Sequence, residues 1–188
     1  MVASAYRMFA ERGYGVPLGE VAADAGVSVQ NLYLLFQNKQ NLVHEALQLA
    51  VLGDDQPEPP HRRPWFQEVV NAARPGPAIR VWVDNTLPIY ARVAPLAGMF
   101  QSEPEVADIW ANSERLRYEG FLEVMQLVAT KGRFRKGVDM AQAADVIFVL
   151  LSPMVYQEFV GGRGWKPEAW GAWVADLVTA ALFVPARR

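Results

Sequence analysis

Two short helical segments on either side of Gly26 constrain the fold of this 188-residue chain more than any other feature. The first segment, residues 18–25, carries small alanines that allow close packing, and Gly26 can end it in the left-handed conformation. Ser28 is placed to cap the second segment by accepting a hydrogen bond from a first-turn amide. Leu32 and Phe36 share one side of the second segment, so it can bury one face and expose the other. Two such helices joined by a tight turn predict a helix-turn-helix, whose second helix fits the major groove of DNA.

Three runs of residues in one uninterrupted register carry a resemblance to a known family. They are Ala5-Tyr6-Arg7-Met8-Phe9-Ala10-Glu11-Arg12-Gly13-Tyr14, Val21-Ala22-Ala23-Asp24-Ala25-Gly26-Val27-Ser28 and Leu32-Tyr33-x-x-Phe36-x-x-Lys39-x-x-Leu42. Together they resemble the DNA-binding domain of the TetR family of bacterial repressors. The resemblance implies an all-α protein with an amino-terminal helix-turn-helix three-helix domain, followed by a helical ligand-binding and dimerisation domain. Because family members usually begin with a basic arm, it also implies that this sequence starts in the middle of the first helix.

The expected DNA-binding residues lie in and just after the second helix of the motif. Gln30 and Asn31 can read base edges, adenine most naturally, and Val29 can touch a thymine methyl group. Tyr33 and Lys39 match family positions that hold the phosphate backbone. The candidate DNA-binding set is completed by the capping residue and consists of Ser28, Val29, Gln30, Asn31, Tyr33 and Lys39.

The charge of the chain is a poor match to a nucleic-acid partner. The formal net charge is −2, whereas phosphate neutralisation supplies most non-specific affinity for DNA. Residues 1–52 hold fewer basic than acidic side chains: Arg7, Arg12 and Lys39 against Glu11, Glu20, Asp24 and Glu45. An alternative function therefore remains open, in which the helix-turn-helix has lost DNA binding and the protein is a small-molecule-binding or interaction protein.

Proline and charge divide the chain into two predicted domains. Residues 1–52 form the helix-turn-helix domain with a connecting helix, residues 53–64 form a linker, and residues 65–188 form the ligand-binding and dimerisation domain. In the second domain we expect helices over 77–93 with a kink at Pro88, over 104–130, over 139–160 with a bend at Pro153, and from 167 onward. Residues 94–101 are expected to be a brief connection, and the basic run 131–137 a solvated loop.

The resemblance also implies a ligand pocket among the helices that follow the linker. Aromatic and flexible side chains there suit a flat, hydrophobic or aromatic inducer oriented by one or two hydrogen bonds. The alternative is that these aromatic residues at helical spacing are ordinary core. The candidate ligand-binding residues are Trp82, Asn85, Thr86, Tyr90, Met99, Phe100, Gln101, Trp110, Tyr118, Phe121 and Met125.

The last two expected helices carry wider apolar stripes than one domain of this size needs to bury. We expect them to pair with their copies as a four-helix bundle in a two-fold homodimer. The candidate dimer-interface residues are Phe148, Leu151, Val155, Phe159, Trp170, Trp173, Leu177 and Ala181.

Several classes of protein are disfavoured by the same sequence. There is no cysteine, and neither His44 nor His61 has a partner at metal-ligand spacing, so neither a metal site nor a cofactor is expected. No nucleophile elbow or glycine-rich phosphate loop is present, which argues against an enzyme. The longest apolar run, residues 146–151, is far short of the ~18 residues that span a membrane. We therefore expect a cytoplasmic transcriptional regulator, most simply a repressor, that binds a pseudo-palindromic operator as a homodimer.

Overall fold

The structure is a computed structural model that describes residues 1–53 and 63–185. All regular structure in these residues is helical apart from one isolated bridge between Phe134 and Phe183, so the expected all-α fold is confirmed. The chain divides into two compact units, Met1–Pro57 with Ala91–Ser113 and Glu58–Tyr90 with Glu114–Arg188. The predicted linker falls mostly on residues outside the described ranges, as does His61, and the boundary between residues 52 and 65 stays a prediction.

The first unit begins with four helices: α1 (Val2–Arg12), α2 (Leu18–Asp24), α3 (Val29–Phe36) and α4 (Lys39–Leu52). Helix α1 packs against α4 and α2, and α3 packs against α2 and α4. Apolar residues three or four positions apart on each helix meet in one core, as the helical period requires. The buried side chains of this core include Ala5, Phe9, Val21, Ala22, Leu32, Leu42, Val43, Ala46, Leu47 and Ala50.

The turn between α2 and α3 forms as its residues predict. Gly26 adopts a positive φ of 67°, a conformation in which a side chain would be strained. The side chain of Ser28 accepts a hydrogen bond from the amide of Asn31, and Asn38 caps α4 in the same way through the amide of Asn41. Pro17 precedes the first residue of α2, where its missing N–H costs no helical hydrogen bond. These caps fix where α3 begins and therefore which of its side chains face outward.

The other helices are α5 (Pro64–Asn71), α6 (Pro75–Ser102), α7 (Ala107–Ala129), α8 (Met140–Leu150), α9 (Pro153–Tyr156) and α10 (Pro167–Leu182). Residues 91–102 of α6 and 107–113 of α7 belong to the first unit, and the remaining residues of these helices to the second. Gly171 of α10 lets this helix approach α6 closely, because a Cβ there would lie 3.1 Å from a methyl group of Leu87. The core of the second unit includes Val69, Ala78, Ile79, Trp82, Val83, Met125, Val128, Ile147, Leu151, Trp170, Val174, Val178 and Leu182.

The expected break after residue 93 is wrong. Residues predicted as a helix and a separate connection form one continuous helix, Pro75–Ser102, which includes Pro88 and Pro95. Both prolines are exposed, so water can reach the carbonyl groups that their missing N–H groups leave unbonded. The prediction treated proline as a stop signal, whereas on a solvent-facing side the helix accommodates it.

The expected single helix over 139–160 is also wrong, because the chain breaks before Pro153. Ser152 is extended, with φ −125° and ψ 153°, as expected for a residue that precedes proline. Its side chain caps α9, which continues into a π-helical segment over Gln157–Gly162. The stretch Met140–Gly162 is long and apolar enough to cross a membrane by length and composition alone, with a mean hydropathy of 1.4. Within this stretch Ile147 and Leu151 are buried in the core, and 39% of its most apolar window is buried.

Candidate functional site

The outer face of α3 carries the candidate base-reading residues. Gln30 and Asn31 are exposed, and among the described residues neither side chain has a hydrogen-bond partner. Tyr33 is 53% exposed, next to two leucines that are more exposed still, Leu34 at 80% and Leu35 at 58%. A helix whose caps are satisfied and whose polar and apolar side chains point outward is equipped to contact the edges and methyl groups of bases.

Two members of the predicted DNA-binding set have structural roles as well. The hydroxyl of Ser28 accepts the amide of Asn31 at 3.2 Å and thus caps α3. Val29 is half-buried and faces α2, since a Cβ built on Gly19 would lie 3.9 Å from its Cγ2 atom. Leu34 and Leu35 lie on the exposed surface instead, although the predicted set does not include them. The signal for this apolar surface was the position of the two leucines directly after Tyr33 on the predicted helix.

All three basic side chains of residues 1–52 have partners inside the first unit. Arg7 pairs with Asp24, and Arg12 pairs with Glu20, in both cases between α1 and α2. The ammonium group of Lys39 donates to the backbone carbonyl of Tyr14. The two ion pairs are solvent-exposed, so each contributes little to stability and can be exchanged for another anion.

Lys39 also contacts an aromatic ring. Its Nζ atom lies 4.3 Å from the centre of the Tyr14 ring, and burial lowers its pKa. Tyr14 is in turn fixed by its hydroxyl, which donates to Oε2 of Glu105 at 2.6 Å. The pKa of Tyr14 is raised to about 12, chiefly by burial and next by this hydrogen bond. The predicted phosphate-binding lysine is therefore engaged within the protein in this conformation.

The candidate ligand residues of the second unit form aromatic contacts, of which the contact between Trp82 and Phe121 is buried. The rings of Trp82 and Phe121 meet edge to face with centroids 4.8 Å apart. Tyr118 lies against Phe148 at 5.3 Å, and Met125 is fully buried. Tyr90 is buried too, and its hydroxyl donates to the carbonyl of Leu151. These contacts bring Trp82 together with Phe121.

The polar groups expected to orient a ligand are already bonded. The hydroxyl of Thr86 donates to the carbonyl of Trp82 at 2.9 Å, and the amide of Asn85 donates to the carbonyl of Val81 at the same distance. Tyr118 donates to Asp145 at 3.0 Å. A ligand would have to use the remaining lone pairs of these groups or displace their local bonds.

The other candidate ligand residues belong to the first unit. Phe100 and Trp110 stack with their ring centres 5.2 Å apart and their planes 23° from parallel. Met99 is buried, whereas Gln101 is exposed. The eleven candidates thus fall into one group in each unit, and their assignment to a single pocket stays a prediction.

A buried arginine in the second unit is a feature that the sequence reading missed. Arg117 is paired with Glu114, and its guanidinium donates to the carbonyls of Phe148 and Leu151 at 3.0 Å. The guanidinium also lies 3.7 Å from the centre of the Phe148 ring. Glu114 and Arg117, three residues apart on a helix with an apolar stripe, were the signal for it. This contact ties α7 to the last turn of α8.

The candidate dimer residues are divided between core and surface. Leu151 and Trp170 are fully buried within the chain, so as placed they cannot contact a second copy. Trp173 and Leu177 are each 37% exposed and lie one helical turn apart on α10, with Ala181 exposed one turn further. Phe159 contacts Trp165 and Trp173 at 5.0 Å and 5.2 Å between ring centres. Phe148 and Val155 are partly exposed.

Metal ligands are not clustered in the part of the chain that the structure describes. Within residues 1–53 and 63–185, no group of three or more histidine, aspartate or glutamate side chains is arranged to hold an ion. His44 lies beside Glu45, at 3.5 Å, and Gln48 on the exposed side of α4. The candidate functional residues are those on the exposed helix faces and in the aromatic groups.

Comparisons with known proteins agree with the helix-turn-helix geometry. Residues 2–46 match the family of bacterial regulatory proteins, tetR family. A comparison with curated protein sequences gives no match.

Solved structures resemble the chain over nearly its full length. FadR from Bacillus subtilis, solved with stearoyl-CoA, has a TM-score of 0.73 at 17% identity, with 96% of each chain covered. The fatty acid degradation regulator FadR from Bacillus halodurans gives 0.70 at 19%, covering 94% of this chain and 91% of that one. NalD, the secondary repressor of the MexAB-OprM multidrug efflux pump in Pseudomonas aeruginosa, gives 0.65 at 18%, covering 97% and 94%. At these identities the likeness concerns the fold.

The helix-turn-helix match and the fold point to the same group of proteins. Helices α1 to α4 supply the amino-terminal domain, and the remaining helices align with regulators of similar length. Residues 2–46 thus match the bacterial regulatory proteins of the tetR family, and the chain as a whole has the fold of the solved regulators that it resembles.

Proposed function

We propose that the protein is a ligand-responsive repressor that binds a pseudo-palindromic operator as a homodimer in the cytoplasm. The observation that carries the proposal is the outer face of α3, where Gln30 and Asn31 are exposed beside Tyr33 and have no partner among the described residues. A two-fold dimer would present two such helices about one DNA turn apart, ~34 Å. An inducer would then act by favouring a conformation that misfits the operator.

Replacing Asn31 by alanine is expected to weaken operator binding by roughly 1–3 kcal/mol, the usual value for a base-reading side chain. Asn31 is exposed on α3, and its backbone amide, which Ser28 caps, is unchanged by the substitution. The fold should therefore survive. The measurement is a fluorescence-anisotropy titration with an operator selected from random duplexes. Equal affinity of wild type and Asn31→Ala for that operator would contradict the assignment.

Lys39→Ala is the matched comparison, because Lys39 is expected to hold phosphate and not bases. The substitution should lower affinity for selected and random duplexes alike. It should also lower the number of counterions released on binding, which is measured from the salt dependence of the affinity, by about one. Tyr33→Ala is expected to weaken binding to the selected operator as well. A change of sequence preference in Lys39→Ala with the salt dependence intact would mean that these roles are wrongly assigned.

The ligand proposal is supported by the buried aromatic contacts, above all that of Trp82 with Phe121. We expect hydrophobic aromatic compounds to quench tryptophan fluorescence saturably and to release the protein from its operator. Phe121→Leu should weaken this response by about 1 kcal/mol or more, since it removes a ring but keeps most of the volume. Phe134→Leu, a loss of one ring outside the candidate set, is the control. Equal responses in the two variants would remove Phe121 from the ligand site.

A second function is favoured by a specific observation, namely that Arg7, Arg12 and Lys39 are all engaged inside the first unit. With the only cations of residues 1–52 satisfied internally, the helix-turn-helix would lack the charge that non-specific DNA binding needs. The protein would then bind a small molecule or a partner without reading DNA. Gel-shift titrations against genomic fragments at several salt concentrations distinguish the two functions, because a repressor should show affinity that rises steeply as salt falls.

A further inference from the structure

A cleft of about 830 Å³ in the second unit contains none of the residues assigned to DNA, ligand or dimer contacts. Its walls are the start of α6, the loop between α7 and α8, and the end of α10. Its size lies in the range of small-molecule sites. The lining residues are Arg74, Pro75, Gly76, Pro77, Arg80, Lys131, Gly132, Arg133, Arg135, Asp176, Thr179, Ala180, Phe183, Val184 and Pro185.

The cleft concentrates positive charge in a chain whose net charge is −2. Five of its lining side chains are cationic and one, Asp176, is a carboxylate. Arg80 is neutralised by Asp84 at 2.9 Å. Arg74 and Arg133 are exposed and have no side-chain partner within the described residues.

The remaining two cations bond only to neutral groups. Lys131 donates to the carbonyl of Val70, and Nε of Arg135 donates to the carbonyl of Ala180, both at 2.7 Å. These bonds fix the two side chains without cancelling their charge. The cleft thus holds several cations that an anion could neutralise, and guanidinium groups suit carboxylate and phosphate oxygens in particular.

Apolar groups lie among these cations, and a backbone hydrogen bond links two of the segments that line the cleft. Pro75, Pro77, Phe183 and Val184 contribute hydrophobic surface. The amide of Val184 donates to the carbonyl of Arg133 at 2.9 Å.

Gly132 explains how the loop can approach α6 so closely. A Cβ on Gly132 would lie 2.4 Å from Cγ of Pro75, which is too close for any side chain. The loop and the start of α6 therefore pack directly against each other at this point.

We propose that this cleft binds a small amphipathic organic anion. The oxyanion group would contact Arg74 and Arg133, and the apolar body would lie on Pro75, Phe183 and Val184. An apolar floor beside unneutralised guanidinium groups matches a ligand that has both parts, whereas inorganic phosphate would leave the floor exposed. The site is separate from the aromatic ligand site of the proposed function and does not depend on DNA binding.

The test uses the full-length protein and four probes that separate the two parts of the ligand: hexyl phosphate, hexanoate, hexan-1-ol and inorganic phosphate. Isothermal titration at low ionic strength should show one saturable site per chain for hexyl phosphate, hexanoate or both. Affinity should be at least about tenfold weaker for hexan-1-ol and for inorganic phosphate, since each lacks one of the two contacts. Amide chemical shifts of residues 131–135 and 184 should move on titration.

Substitutions then locate the site. Arg74→Ala and Arg133→Ala should each lower the affinity for the anionic probe by about tenfold. Lys136→Ala, a cation of the same loop that does not line the cleft, should change affinity by less than about twofold because water screens it. Any one of three results would overturn the proposal. These are an affinity in both arginine variants equal to that of the wild type, a loss in Lys136→Ala equal to that in the arginine variants, or binding of hexan-1-ol as tight as that of the anionic probe. A short random DNA duplex that binds through Arg74 and Arg133 more tightly than hexyl phosphate would also overturn it, in favour of a polyanion.

Discussion

Leu177→Glu is expected to convert the protein from a dimer into a monomer. Leu177 is 37% exposed on α10, in line with the exposed residues Trp173 and Ala181, and is thus the centre of the apolar stripe left open by the core. Two-fold symmetry places each substitution in the interface twice. Burying an unpaired carboxylate costs several kcal/mol, so the dissociation constant of the dimer should rise by roughly a thousandfold or more.

Light scattering and sedimentation at micromolar concentration measure this change directly. Leu116→Glu is the matched control, because Leu116 is also an exposed leucine of the second unit but lies on α7, outside the candidate interface. The control should remain dimeric. A wild-type protein that is already monomeric at micromolar concentration would refute the dimer, and with it a bipartite operator. Operator binding should fall together with dimerisation, since one recognition helix alone makes half of the contacts.

Arg117→Met should lower the free energy of unfolding by about 3 kcal/mol. The side chain of Arg117 is only 13% exposed, and Glu114, its partner, is 26% exposed. Methionine fills much of the volume but leaves Glu114 and the carbonyl of Phe148 without this donor, whereas the carbonyl of Leu151 keeps the hydrogen bond from Tyr90. Partial access of water to Glu114 keeps the loss below the full cost of a buried charge.

Urea denaturation monitored by circular dichroism gives this value. Arg115→Met on the same helix is the control, because its ion pair with Glu119 is 58% and 54% exposed and should contribute about 0.5 kcal/mol or less. Equal losses in the two variants would show that burial of Arg117 contributes nothing. Glu114→Gln should recover part of the stability of Arg117→Met, since it removes the unpaired charge.

The helix-turn-helix could be predicted from sequence because each of its signals is local. Gly26 ends one helix, Ser28 caps the next, and Leu32 is buried within a few residues of both. Gln30, Asn31 and Tyr33 are exposed on α3, and their assignment to DNA contacts stays a prediction. The engagement of Lys39 could not be predicted, because it depends on Tyr14 and Glu105, which are far apart in the sequence.

The helices from α6 onward were harder to predict from sequence because proline has two opposite effects in them. Pro88 and Pro95 remain inside α6, whereas Pro153 coincides with a true break after Leu151. Sequence alone does not say which proline faces water. An apolar stripe in the sequence also does not show whether the same chain or a second copy covers it. For this reason Leu151 and Trp170 were predicted to lie in the dimer interface, whereas they are buried in the core. The cleft lined by Arg74 and Arg133 joins residues that no local pattern connects.

If the protein binds an operator as proposed, the contact between Lys39 and Tyr14 makes its affinity depend on the populations of two conformations. If Lys39 must leave the carbonyl and ring of Tyr14 to reach a phosphate, only the fraction of molecules with a released lysine is competent to bind. The apparent dissociation constant is then the intrinsic one divided by that fraction, so a release of one molecule in ten weakens binding about tenfold. Any change that loosens the hydrogen bond of Tyr14 to Glu105 would raise the competent fraction without touching DNA. In a repressor of this kind, residues that never approach the operator would set the strength of repression.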